Sequence, residues 1–77
     1  MKSYILIEAF MGRATVVANG IRGLNLRDAT LVSADVVTGP FDVIVVLETA
    51  DFDAVMNFVA NQIQKMDGVQ RTITCVS

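Results

Sequence analysis

Residues 31–48 read LVSADVV-TGP-FDVIVVLE, and this stretch decides the fold. From Leu31 to Val37, Val32, Ala34 and Val36 alternate with Ser33 and Asp35, the period of a half-buried strand. Thr38-Gly39-Pro40 breaks the run, because glycine tolerates unusual backbone angles and proline cannot donate to a ladder. Phe41–Glu48 then resumes at once as a second strand. Two strands joined so tightly must run antiparallel, since a parallel return needs a long crossover.

Moving outward, Tyr4–Phe10 (YILIEAF) is rich in β-formers and reads as an earlier strand. After the Met11-Gly12 turn, Ala14, Val17, Ala18, Ile21 and Leu24 recur at helical spacing, and Val16 falls off that stripe. Asn25–Thr30 (NLRDAT) is polar and aperiodic, a loop. On the other side of the hairpin, Asp51 is placed to cap a helix whose stripe is Phe52, Val55, Met56, Val59, Ile63 and Met66. Phe58 lies just off the stripe and is expected at the margin of the core. Gly68 is in position for a C-cap, and Val69–Val76 forms a last strand with Thr72, Thr74 and Val76 on one face and Arg71, Ile73 and Cys75 on the other.

The order β-α-β-β-α-β predicts an α+β, ferredoxin-like domain with an antiparallel sheet in spatial order 4-1-3-2. The two strands placed in the middle are those that are apolar on both sides. Tyr4 and Leu6 oppose Ile5 and Ile7, and Val43, Val45 and Leu47 oppose Ile44 and Val46. Helices can cover only one face of such a sheet, so the other is expected to pack on a second sheet as a dimeric α+β barrel.

Composition agrees. With 77 residues and 53% hydrophobic residues the chain is one small domain, of a size that often needs help to be stable. One cysteine and no histidine exclude an internal disulfide, a zinc site and the Ser-His-Asp or Cys-His catalytic arrangements. Cys75 is expected to be a small buried hydrophobe. No glycine pattern for a nucleotide cofactor is present. The chain is therefore expected to be no enzyme and to need no cofactor. Six scattered basic residues against eight acidic ones do not make the basic surface that nucleic acid requires. No apolar run approaches the ~20 residues of a membrane span, and Glu8 interrupts the first one, so a cytoplasmic protein is expected.

Candidate binding residues fall in two places. In Thr38-Gly39-Pro40-Phe41-Asp42, a glycine can let a ligand approach backbone N–H groups and an aspartate can meet an ammonium; a plain hairpin turn is the competing reading. Thr72 and Thr74 point to one face of an edge strand, as hydroxyls for a polar ligand or merely as good strand formers.

The stretch VSADVVTGPFDVIVV (residues 32–46), with Asp51 opening the second helix and GVQRTITC (residues 68–75) closing the chain, resembles the effector-binding (RAM) domain of the Lrp/AsnC transcription regulators. The resemblance covers essentially the whole chain. It implies face-to-face dimers, commonly in rings of four or five dimers, with an amino acid effector bound where dimers meet. Carried over by position, the ligand-binding residues are Thr38, Gly39, Pro40, Phe41, Asp42, Thr72 and Thr74. Since Met1 stands at the first strand, residues 1–77 are expected to be a single stand-alone domain without a DNA-binding domain, acting with full-length regulators of the family. The Asn25–Leu31 connection is longer than is usual in that family and would alter ligand preference if it borders the site. A cofactor-free enzyme of the dimeric barrel type and a purely structural assembly partner are the competing classes.

Overall fold

The computed structural model describes residues 1–77. Strand β1 (Lys2–Ala9) leads to helix α1 (Ala14–Arg22), then β2 (Thr30–Val36), β3 (Val43–Glu48), helix α2 (Phe52–Phe58) and β4 (Val69–Val76). Helix α2 runs on as one π-helical turn over Val59–Ile63. The four strands form one antiparallel sheet in the order β2-β3-β1-β4, the expected 4-1-3-2 arrangement read from the other edge.

The register explains the core. Pairing of Ser3 with Leu47, Ile5 with Val45 and Ile7 with Val43 aligns the odd-numbered side chains of β1 and β3 on one face. All six are fully buried beneath the helices. Against them pack Val17, Ala18 and Ile21 from α1 and Val55, Phe58, Val59 and Ile63 from α2 and its π turn. Each large aliphatic side chain so buried contributes about 1.5–3 kcal/mol. Gly20 permits close approach of the helical layer, because a Cβ there would stand 3.2 Å from Met66 Sδ.

Several expectations are corrected by long-range pairing. The ladder between β2 and β3 shifts between Leu31 and Ser33, so Val32 is bulged out and 53% exposed instead of sharing the inner face with Ala34. The β2–β3 connection is longer than Thr38-Gly39-Pro40: Phe41 and Asp42 precede β3, and Val37 N–H closes the turn on the Asp42 carbonyl at 2.9 Å. Along α2 the buried side is rotated toward Phe58, leaving Phe52 and Met56 exposed. Gly68 caps no helix; it lies buried where the chain enters β4, with φ +96°. Cys75 is exposed, because the face of the sheet that it occupies carries no helix. Asp51 does cap α2, its Oδ1 accepting from Asp53 N–H at 2.9 Å.

Candidate functional site

The hairpin turn is anchored through its aspartate. Asp42 Oδ2 accepts from Ala9 N–H at 2.8 Å, and Asp42 N–H donates to the Ile7 carbonyl at 2.9 Å. The carboxylate thus serves the end of β1 where the β1–β4 register shifts between Glu8 and Ala9. It leaves Oδ1 without a protein partner. Thr38, Gly39 and Pro40 are exposed, and no heavy atom lies within 4 Å of where a Cβ on Gly39 would stand. The backbone of the turn is open to approach.

Thr72 and Thr74 pair with Ile7 and Ile5, and so stand on the helix side of the sheet, half-buried. Thr72 Oγ1 accepts from Gln64 Nε2 at 3.1 Å. Within one chain β1 separates them from the hairpin turn, about 10 Å at the usual strand spacing. The seven candidate residues therefore meet around no shared hollow of a single subunit.

The hollow that does exist is elsewhere. A cleft of about 250 Å³ has residues 25–29 as one wall and Ala54, Asn57, Phe58, Asn61 and Gln62 as the other. Thr49, buried at the end of β3, staples both walls. Its Oγ1 donates to the Asp28 carbonyl at 2.5 Å and accepts from Asp51 N–H at 3.1 Å. Thr49→Val keeps the shape and removes both bonds, so it is expected to lower stability by about 1–3 kcal/mol. A chemical denaturation midpoint checks this, together with faster hydrogen exchange at Asp51. In the sequence, Asn57 and Asn61 fall on the side of the helix opposite the stripe of Phe52, Val55, Met56, Val59, Ile63 and Met66, where a solvated face is the ordinary expectation. Their only signal in the sequence is the long polar loop they face.

The other face of the sheet presents Tyr4, Leu6, Ile44, Val46 and Ile73, rimmed by an ion pair between Glu8 and Arg71. Tyr4 and Ile73 are 37% and 40% exposed, and the face has no cover within the chain. No helix of the chain is long and apolar enough to cross a membrane.

Residues 30–77 match the model of the Lrp/AsnC ligand binding domain. Among solved structures, a hypothetical protein (PHS023) from Pyrococcus horikoshii is 27% identical, with a TM-score of 0.82 over 96% of this chain and 84% of that one. TTHA0845 from Thermus thermophilus is 24% identical, with a TM-score of 0.86 over 99% and 90% of the two chains. The transcriptional regulator NMB0573 from Neisseria meningitidis, solved as a complex with L-Met, is 20% identical, with a TM-score of 0.77. The present chain corresponds to 47% of that regulator. No curated protein matches the chain.

Proposed function

The chain belongs to the Lrp/AsnC ligand-binding domain family, and from that premise we propose that it is an oligomeric regulatory module whose effector is an amino acid. The observation that carries this reading is the extent of the family match. Residues 30–77 include Thr38, Gly39, Pro40, Phe41, Asp42, Thr72 and Thr74. The L-Met held by the Neisseria regulator supports an amino acid as the ligand class.

Two subunits pack through their uncovered sheet faces, and such dimers assemble further into rings of four or five. The effector sits at a subunit boundary, where the hairpin turn of one subunit gains the walls that it lacks alone. Exposed backbone at Gly39 receives the carboxylate, and the free Oδ1 of Asp42 receives the ammonium. The module acts in the cytoplasm, by co-assembly with full-length regulators of the family. It has no catalytic role and does not contact DNA itself.

Isothermal titration of the oligomer against each of the twenty amino acids tests the reading, with saturable heat from at least one expected. Silence from all of them would refute it. Asp42→Asn keeps an acceptor for Ala9 N–H and removes the charge. That variant is expected to remain folded and to bind roughly tenfold to a hundredfold more weakly, as for loss of a charge-assisted hydrogen bond. Unchanged affinity would remove Asp42 from the site.

A further inference from the structure

The cleft between residues 25–29 and α2 lies at the opposite end of the sheet from the hairpin turn. Thr49, which staples its walls, accepts at its carbonyl from the Met1 ammonium at the start of β1, whereas Asp42 is bonded to Ala9 at the end of β1. The six residues of β3 separate the two places, roughly 20 Å at the strand rise.

The polar groups lining this cleft are unspent. The ion pairs of the chain are Met1 with Glu48, Arg13 with Asp67 and Arg71 with Glu8, so neither Arg27 nor Asp28 is neutralised by a neighbour. Asp28 gives Thr49 its backbone carbonyl and keeps its carboxylate free. The carboxamides of Asn57, Asn61 and Gln62 have no protein partner, in contrast to nearby Gln64. Leu26, Ala29, Ala54 and Phe58 supply the apolar part of the lining.

The lining residues of α2 and its π turn, Ala54, Asn57, Phe58, Asn61 and Gln62, recur at spacings of three and four, so they share one side of the helix. All three carboxamides line the cleft on that account.

We infer that this cleft is a second ligand site, complete within one subunit, for a small zwitterion of the α-amino acid class with a hydrogen-bonding side chain. The inference rests on reading the domain as an effector-binding module, and places a site where that reading had none. Arg27 receives the carboxylate, for which guanidinium offers paired donors. Asp28 receives the ammonium and repels simple anions, so the adjacent opposite charges select a zwitterion. The carboxamides, each both donor and acceptor, meet the polar side chain. A volume of about 250 Å³ is below the ~300–1,000 Å³ of pockets for drug-sized ligands, which confines the occupant to a small metabolite.

NMR titration of ¹⁵N-labelled full chain with each of the twenty amino acids locates binding. Saturable shifts of the Asn57, Asn61 and Gln62 side-chain amides are expected with at least one polar amino acid. In Arg27→Met the midpoint of those shifts is expected to rise about tenfold to a hundredfold, and in Asp42→Asn to stay unchanged. Shifts confined to residues 38–42, 72 and 74 would overturn the cleft site and leave the family-based effector role standing. Cleft shifts with the same midpoint in Arg27→Met would also overturn it. No shift anywhere with any amino acid would remove both readings.

Discussion

With the sheet-to-sheet packing proposed above, Val46→Glu is expected to leave the protein monomeric with its secondary structure unchanged. Val46 is half-buried in the isolated chain, on the side of β3 opposite Val45 and Leu47, so the new carboxylate does not enter the helix-side core. In a two-fold, face-to-face packing each interface receives the change twice. A buried, unpaired polar group costs about 1–3 kcal/mol in proteins, and a charge costs more. Two copies then weaken association by roughly two to four decades or more, at 1.4 kcal/mol per decade. Analytical ultracentrifugation with circular dichroism checks the outcome. Cys75, the single exposed thiol on the same face, supplies a second readout, since its alkylation should speed up as the dimer is lost. An assembled Val46→Glu protein would show that subunits meet elsewhere.

Gly68→Val is expected to destabilise the fold by about 3–5 kcal/mol, enough to unfold much of a domain whose total is of that order. Two effects act together. The residue has φ +96°, where a β-branched side chain is strained. A Cβ would also stand 3.0 Å from Arg13 Cβ and 3.1 Å from Val17 Cγ2. Neither contact is with the loose end of a flexible chain, so relief requires moving α1 away from the entry to β4. Gly12→Ala isolates the first effect, since φ is +78° there and nothing lies within 4 Å of the new methyl. It is expected to cost about 1 kcal/mol. Thermal or denaturant midpoints of both variants check the comparison; similar losses would mean that crowding at Gly68 is relieved without cost.

The topology is legible in the sequence because its signals are local. A glycine-proline break between two alternating runs needs no distant partner to be read as a hairpin, and the doubly apolar strands fall in the middle of the sheet as expected. What cannot be read depends on residues far along the chain. The bulge at Val32 exists only against Val46 and Leu47. Asp42 finds its acceptor role with Ala9, 33 residues away. Alternation puts Thr72 and Thr74 on one face, but pairing with Ile7 and Ile5 decides that it is the helix side. A free cysteine in an alternating strand is expected to be covered, and nothing within the chain covers Cys75. The cleft is the least legible feature, since its two walls are joined through Thr49 and are polar in a manner that also describes an ordinary solvated surface.

The π turn over Val59–Ile63 is equivalent to one extra residue in an α-helix. Were the same residues wound as a regular α-helix, everything downstream would be carried round by roughly 100°. Ile63, fully buried, would then leave the core, and Met66 would leave Gly20. The wide turn works as a slip joint: it takes up the surplus residue while the chain beyond it keeps its place.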